Sequence, residues 1–212
     1  MEIEFKAFNK IARLNREVIV TEKIDGTNGV IYVTENQGGV IAGSRERWLT
    51  VENDNAGFAR WVHENAQELS TLGHGYHYGE WWGQGIQRKY GLAEKRFSLF
   101  NVSRWGDGEK RAGCAKCSLV AATWAPAVCE RCRTPRPPEP PRRPACCGVV
   151  PVLARGMDIR SATEEALTIL RERGSVAAPG FMKPEGVVVF HSASGQLFKV
   201  TLEKDEEPKG KK

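Results

Sequence analysis

The 212-residue sequence has no long apolar run, no internal repeat and no cysteine outside residues 114–147. A membrane-spanning helix needs about 20 consecutive apolar residues, so no such helix is expected. The opening "MEIEFKAFNKIARL" does not have the pattern of a signal peptide, because two of its first four residues are acidic. Cysteines confined to one stretch exclude a chain-wide disulfide framework. We therefore expect a cytoplasmic protein without a membrane partner.

Positive charge is in small excess, since 31 Lys and Arg against 26 Asp and Glu leave a net charge of +5. Part of this excess belongs to a charged tail over residues 206–212. The balance is compatible with a nucleic-acid or nucleotide partner and does not require one. The length allows one sizeable core, so we predict one main domain over residues 1–205.

Hydrophobic alternation predicts strands over residues 18–22 and 29–34 and a third strand that ends near Ser44. After Asn53, apolar residues recur at three- and four-residue spacing, which predicts an amphipathic helix. The aromatic segments "GYHYGEWW" and "RFSLFNVSRW" predict further strands.

Regular structure is predicted to resume with a strand in "VVPVLA". A helix then begins at Ser161, where Glu164 completes a capping box, and ends at Gly174. The segments "EGVVVF" and "QLFKVT" predict the last two strands. Strands outnumber helices and do not alternate with them as βαβ units, so the predicted class is α+β, with mainly antiparallel sheets and packed helices.

The stretch "TEKIDGTN" places charged and polar residues where the strand pattern is interrupted. An ordinary lysine amine has a pKa of about 10.4 and is a poor nucleophile at neutral pH, because it is protonated. Desolvation or neighbouring cations lower such a pKa, and a free amine at Lys23 could attack the α-phosphate of a nucleotide. Covalent nucleotidyl transfer is therefore predicted, with a solvated surface turn as the alternative.

This stretch resembles motif I of the covalent nucleotidyltransferases, the superfamily of polynucleotide ligases and mRNA capping enzymes. Thr27 and Asn28 make it more similar to the phage-type ATP-dependent RNA ligases than to DNA ligases or capping enzymes, which usually place arginine soon after the glycine. The resemblance implies that Lys23 is the catalytic nucleophile and that Glu22 recognises the adenine amino group. The residues of this motif that it assigns to nucleotide binding are Glu22, Asp25, Gly26 and Asn28.

Further motifs of the same family follow in order along the chain. "SRERW" is similar to motif Ia, in which Arg45 would contact phosphate or the nucleic-acid terminus. "YGEWWGQGIQRKYG" supplies Glu80, which resembles the acid that holds the ribose or organises metal. "RFSLFNV" resembles motif III, in which Phe100 would stack on adenine; the alternative is that Phe100 is an ordinary core residue.

The last two motifs complete the resemblance over residues 5–205, apart from an insertion. "KPEGVVV" resembles motif IV, with Glu185 as a magnesium-directed catalytic carboxylate, and "LFKVT" resembles motif V, with Lys199 on the α-phosphate. Motif V commonly has a second lysine two residues later, where this chain has Thr201, so one phosphate contact is missing. We expect a minimal catalytic domain, because few residues follow motif V.

The resemblance implies the adenylation-domain fold of polynucleotide ligases, with ATP and Mg²⁺ or Mn²⁺ as cofactors. Its reaction has three steps. Lys23 takes AMP from ATP, AMP passes to a 5′-phosphate end, and a 3′-hydroxyl displaces AMP to seal the strand.

Residues 106–147 form a cysteine-rich insertion whose run "RTPRPPEPPRRP" excludes helix and central strand. Two Cys-x-x-Cys pairs predict a tetrahedral zinc site that would supply local folding energy. Cys146 and Cys147 are competing ligands, and a loop of reduced thiols is the alternative. Neighbouring arginines would make the insertion a basic arm for phosphates. The predicted zinc ligands are Cys114, Cys117, Cys129 and Cys132.

The leading functional prediction is an RNA ligase that acts on nucleic-acid ends, with RNA favoured over DNA. A DNA ligase and a GTP-dependent capping-type enzyme are the enzymatic alternatives. A nucleic-acid end-binding module with weak or no catalysis is the third. The sequence leaves the oligomeric state open.

Overall fold

The computed structural model describes residues 4–5, 7–8, 10–35, 39–106 and 143–203. The chain divides into two compact units, each assembled from separated segments. Unit 1 contains Met1–Thr27, Trp82–Arg96 and Val150–Lys212, and unit 2 contains Asn28–Trp81 and Phe97–Val149. Within the described ranges, no helix has both the length and the apolar character needed to cross a membrane.

The described elements confirm the α+β class, with two sheets and short helices. A 3₁₀ turn at Ser70–Leu72 follows the second helix. In chain order the elements are β1 (Val18–Lys23), β2 (Thr27–Val33), β3 (Val40–Gly43), α1 (Phe58–Glu64), α2 (Ala66–Leu69), β4 (Gly75–Gly83), β5 (Lys95–Leu99), α3 (Val102–Trp105), β6 (Cys147–Val149), β7 (Val152–Gly156), α4 (Ile159–Arg173), β8 (Gly186–His191) and β9 (Gln196–Thr201).

Unit 1 is built on a four-stranded sheet in the order β7-β1-β8-β9. Each neighbouring pair is antiparallel. Val18 and Val20 lie on the face that packs against α4, together with Val187 and Val189 of β8. On α4, alanines and leucines at three- and four-residue spacing cover this face, as expected for an amphipathic helix. This packing holds β1 at the centre of the unit.

The N-terminus of α4 differs from the prediction. The helix begins at Ile159, and Asp158 is the N-cap, whose carboxylate accepts a hydrogen bond of 2.7 Å from the Ser161 amide. The predicted capping box at Ser161 and Glu164 is therefore wrong, because Asp158 satisfies the first free amides one turn earlier. The predicted end at Gly174 is confirmed.

Unit 2 is built on a five-stranded sheet in the order β3-β2-β4-β5-β6. The β2–β3 pair is antiparallel and the β5–β6 pair is parallel, so the sheet is mixed. An aromatic core lies beneath α1, where the ring centroid of Phe58 is 5.1 Å from that of Phe97 and 5.4 Å from that of Trp81. These rings come from segments distant in sequence and tie the unit together.

Two segments predicted as single strands each contain two elements. In "VVPVLA", β6 ends at Val149 and β7 begins after Pro151, and the two strands belong to different sheets. Pro151 has no amide to continue a ladder, which is consistent with this break. In "RFSLFNVSRW", β5 ends at Leu99 and α3 begins after Asn101, whose side chain accepts from the Arg104 amide at 2.9 Å. Asparagine at an N-cap favours this helix start.

A buried carboxylate joins β1 to the segment that follows α4. Glu22 is 1% exposed, and its Oε1 accepts a 2.5 Å hydrogen bond from the Ser175 hydroxyl. Its Oε2 accepts from the amides of Val176 and Ala177, each at 2.8 Å. Burial raises the pKa of Glu22, and these hydrogen bonds act in the opposite direction. The carboxylate therefore fixes residues 175–177 against the strand that ends in Lys23.

Replacement of Glu22 tests this anchoring role. Glu22→Ala leaves a hydroxyl and two amides without their acceptor, and we expect a loss of unfolding free energy of about 2–4 kcal/mol. Glu22→Gln keeps the shape, an oxygen for the two amides and a donor for Ser175 Oγ, so its loss should be under about 1.5 kcal/mol. Urea denaturation measures both values, and equal losses would contradict the anchoring role.

The difference in stability between the wild type and Glu22→Gln should depend on pH. Because the raised pKa lets the folded state bind the Glu22 proton at a higher pH than the unfolded chain, stability from this residue falls as pH rises through that pKa. The wild type should therefore gain stability relative to Glu22→Gln as the pH is lowered through this window toward the ordinary glutamate value. Urea midpoints measured across this range check the sign.

Candidate active site

Lys23 and Glu185 form the centre of the candidate site in unit 1. Lys23 is the last residue of β1 and lies opposite Gly186, the first residue of β8. Its Nζ is 2.5 Å from Glu185 Oε2, and the glutamate is the more buried partner. A buried carboxylate is stable only when it is paired, so the ion pair explains how Glu185 is held there. The structure thus brings the lysine of motif I to the carboxylate of motif IV.

Gly186 permits the close approach of β8 and β9 beside this pair. Its φ is 155°, and a Cβ at this position would lie 2.1 Å from the Val200 carbonyl oxygen. No side chain fits so close to a backbone atom. Packing against β9 therefore requires glycine at position 186, directly after Glu185.

The motif V residues lie on β9, which pairs with β8 on the side away from β1. Gly186 is opposite both Lys23 and Thr201, and Val188 is opposite Lys199. Residues directly opposite each other share a sheet face, and so do residues two apart on one strand. Lys199, which is exposed, is therefore on the same face as Lys23. Thr201 is at the position where motif V commonly has its second lysine. It is opposite Gly186, which is in turn opposite Lys23.

The loop after Lys23 is held by two residues that the sequence analysis did not identify. The Asp25 amide donates to the Tyr90 hydroxyl at 2.7 Å, and Arg88 Nε donates to Asp25 Oδ2 at 3.0 Å. Arg88 Nη1 also donates to the Lys183 carbonyl at 3.0 Å. Arg88 therefore connects motif I to the first residue of motif IV, and Gly26 lies within the loop that Arg88 and Tyr90 hold.

The run "GQGIQRKYG", which supplies these two residues, was the sequence signal for them. Gln87, Lys89 and Tyr90 have φ values of 42°, 60° and 50°, which side chains other than glycine adopt only when surrounding contacts compensate. The Tyr90 ring supplies such contacts, with centroids 5.0 Å from Trp82 and 4.7 Å from Phe181. Burial raises the pKa of Tyr90, so its hydroxyl stays protonated. The loop is thus an ordered support for motif I.

Three more predicted residues come together in unit 2. Asn28 Nδ2 donates to Glu80 Oε2 at 3.1 Å, and Arg45 Nε donates to Asn28 Oδ1 at 2.9 Å. A second bond joins Arg45 Nη2 to the same oxygen. Asn28 therefore links the motif Ia arginine on one side to the buried acid of β4 on the other. This network orients a carboxylate and a guanidinium, which are groups suited to ribose hydroxyls and phosphates.

Phe100 follows β5 and is 40% exposed, whereas Phe97 on the same strand is fully buried. The Phe100 amide donates to the Tyr78 carbonyl at 2.9 Å, and Tyr78 precedes Glu80 by two residues on β4. An exposed ring is better suited to stacking on a base than to the alternative role in the core.

The predicted zinc ligands Cys114, Cys117, Cys129 and Cys132 lie outside the described residues. Among the residues that the structure does describe, no group of three or more His, Cys, Asp and Glu side chains is arranged to hold a metal ion. The competing ligands Cys146 and Cys147 are described, with sulfurs 4.0 Å apart. Burial raises the pKa of the Cys146 thiol to about 11.

Solved structures of an RNA ligase from Naegleria gruberi resemble this fold. A variant with ATP and Mn matches with a TM-score of 0.53 and 18% identity, covering 92% of this chain and 52% of the other. An apo variant matches at 0.51 and 18%, covering 88% and 50%, and another variant with ATP and Mn at 0.51 and 17%, covering 89% and 50%. This chain therefore spans about half the length of those chains, and the likeness supports the fold. A search of curated protein sequences finds no match.

The family model described as RNA ligase matches residues 16–201. That match includes every motif residue placed above, from Glu22 in β1 to Lys199 in β9. It covers most of the chain. The chain belongs to the RNA ligase family.

Proposed function

We propose that this chain is the nucleotidyltransferase domain of an ATP-dependent RNA ligase that acts through a covalent lysyl-AMP intermediate. The observation that carries the proposal is the Lys23 amine held 2.5 Å from the buried Glu185 carboxylate at the end of β1. A surface turn with a solvated lysine does not require such a partner. Membership in the RNA ligase family supports our assignment of Lys23 as the nucleophile.

In the proposed first step, Lys23 Nζ forms a bond to the α-phosphorus of ATP and pyrophosphate leaves with the electrons of the broken P–O bond. The amine must lose a proton to attack, and Glu185 Oε2, which is 2.5 Å from Nζ, would accept that proton as the general base. Lys199 is assigned to the α-phosphate from its position on the same sheet face.

Glu185 also fits the divalent cation that the family implies. Its carboxylate is a hard oxygen donor, and magnesium is commonly bound through one or two carboxylates together with substrate phosphates. Mg²⁺ or Mn²⁺ held by Glu185 would neutralise charge on the reacting phosphates. The solved Naegleria structures with ATP and Mn support a divalent metal.

We assign nucleotide recognition to the remaining motif residues. Asp25 and Gly26 would form the loop beside the reacting phosphate, and Phe100 would stack on adenine. Asn28 and Glu80 would hold the ribose, with Arg45 on phosphate or on the RNA terminus. The adenine-recognition role of Glu22 stays a prediction, since both of its oxygens accept hydrogen bonds within unit 1.

RNA ends are the proposed substrates for the later steps, in which AMP passes to a 5′-phosphate and a 3′-hydroxyl then seals the strand. Membership in the RNA ligase family is the reason for proposing RNA ends rather than DNA ends. Since the chain spans about half of the Naegleria structures, adenylylation is the step that its own residues support most directly.

Loss of the nucleophile should abolish covalent labelling. With α-³²P-ATP and Mg²⁺, we expect the wild type to carry an acid-labile label after denaturing electrophoresis, and Lys23→Ala to carry none. Lys23→Arg keeps a cation for Glu185 but offers no nucleophilic amine, so it separates loss of chemistry from loss of the ion pair. Label on a folded Lys23→Ala protein would contradict the assignment.

The nucleotide itself separates the enzymatic alternatives in the same assay. Label from ATP and not from GTP supports the ligase. Label from GTP alone would favour the capping-type alternative, and label from neither would favour an end-binding module.

Phe100 and Lys199 should affect adenylylation in different ways. Phe100→Leu removes a stacking surface, so we expect the KM for ATP to rise by about tenfold, with kcat nearly unchanged. Lys199→Ala removes charge from the reacting phosphate and should lower kcat by about 10²-fold at saturating ATP. Phe100→Tyr keeps the ring and is the matched control. If excess ATP does not restore the activity of Phe100→Leu, Phe100 is an ordinary core residue and does not stack on adenine.

We also propose that Cys114, Cys117, Cys129 and Cys132 bind one zinc ion. The two Cys-x-x-Cys pairs are its support. Elemental analysis of protein purified under reducing conditions should give about one zinc per chain for the wild type, and less for Cys129→Ser with Cys132→Ser. Because these residues are outside the proposed nucleotide-binding set, zinc loss should reduce strand joining more than self-adenylylation. Metal-free wild type would overturn this proposal.

A further inference from the structure

A group of four aromatic rings, three of them exposed and one half-buried, lies on the five-stranded sheet of unit 2. We call Tyr32, Trp48, Tyr76 and Tyr78 the aromatic row. Trp48, Tyr76 and Tyr78 are 50%, 56% and 58% exposed. Neither the aromatic core of unit 2 nor the proposed chemistry uses these rings. Clustered exposed aromatics are uncommon on a protein surface and commonly indicate a binding site.

The rings of the aromatic row contact one another in an ordered arrangement. The centroids of Tyr32 and Tyr76 are 4.7 Å apart. Tyr76 and Trp48 are 6.3 Å apart with an angle of 24° between their planes. Tyr76 and Tyr78 are 6.1 Å apart and nearly parallel, at 9°. The rings therefore form one contiguous aromatic cluster rather than isolated side chains.

The aromatic row shares its sheet face with residues proposed to bind the nucleotide. Tyr76, Tyr78 and Glu80 follow each other at two-residue intervals on β4, so their side chains project from one face. Tyr32 is likewise an even number of residues from Asn28 on β2, and Asn28 bonds Glu80. The row thus continues along the sheet from the Asn28–Glu80 network in steps of about 6.6 Å per ring.

A cationic side chain adjoins the same face, because Arg45 bonds Asn28, which is on that face. Arginine guanidinium groups pair with phosphates, and flat aromatic rings stack on bases of any sequence. Tyrosine and tryptophan also tolerate water at their polar ends, as an intermittently occupied surface requires. This combination of a cation and rings suits a nucleic-acid strand better than an apolar protein segment.

We propose that the aromatic row is a stacking platform for unpaired bases of the RNA end that this enzyme joins. The platform takes bases that are free to leave their own stack, so the favoured substrate has a single-stranded segment next to the end. Bases within a duplex already stack on each other and offer no face to the rings. The proposal rests on the proposed RNA ligase function for the identity of the strand.

Binding of a fluorescein-labelled 12-nucleotide oligouridylate, followed by anisotropy without ATP, tests the platform. Tyr76→Leu and Tyr78→Leu remove a π face and keep apolar volume, and each should raise the Kd by about tenfold. Tyr76→Phe and Tyr78→Phe keep the face and should stay within about twofold of the wild type. The slope of log Kd against log salt should not change, because no phosphate contact is lost. Thermal melting confirms that each variant folds.

Three results would overturn the platform. The first is an unchanged Kd in the leucine variants. The second is an equal loss in the phenylalanine variants, which would mean that the hydroxyl groups bind rather than the rings. The third is a wild-type dimer in sedimentation that the leucine variants dissociate, which would make the row an interface between copies of this chain.

Self-adenylylation of the same preparations separates this proposal from the ligase proposal. The leucine variants should label with ATP as well as the wild type. If the wild type does not label but its RNA binding depends on the rings, the ligase assignment fails and the platform stands. If all proteins label equally and the leucine variants bind RNA with the Kd of the wild type, only the platform proposal fails.

Discussion

The alternation of side chains along β1 is the constraint on which unit 1 depends. Because successive residues of a strand point to opposite faces, Glu22 turns toward residues 175–177 while Lys23 turns to the face shared with Lys199. The buried glutamate satisfies a hydroxyl and two amides, and so holds the strand in register. One step along the same strand, the lysine meets Glu185. A shift of one residue would exchange the positions of Glu22 and Lys23 on the two faces.

Asp25 and Asn28, two polar residues that follow Lys23, both bond to charged side chains. Asp25 pairs with Arg88 in unit 1, and Asn28 joins Arg45 to Glu80 in unit 2. Carboxylates and guanidinium groups held in this way keep their orientation before a substrate arrives, which is what phosphoryl transfer mainly demands of a protein. The net charge of the chain is only +5, so its overall attraction for phosphates is modest, and the proposed platform would add base stacking to it.

Local patterns in the sequence predicted much of the site. A lysine at a strand end, an asparagine five residues later and a Glu-Gly pair before an apolar run were each visible within a few residues, and the structure describes them at β1, β2 and β8. The end of α4 at Gly174 was predicted for the same reason, since a helix stop depends on the local backbone. Errors arose where two local signals competed. Asp158 capped α4 before Ser161, and Pro151 divided one apolar run between two sheets.

The sequence by itself determined the fold class, the order of the motifs and the family. Each of these conclusions is built from motifs and strand or helix patterns that are short runs of neighbouring residues. Only the tertiary structure decided which distant groups meet. It identified Arg88 and Tyr90 as supports of motif I, Ser175 as the partner of Glu22, and the rings of the aromatic row as one exposed surface. Hydrogen bonds and ring contacts between separated segments depend on sheet register and helix packing, and these form only when the whole unit folds.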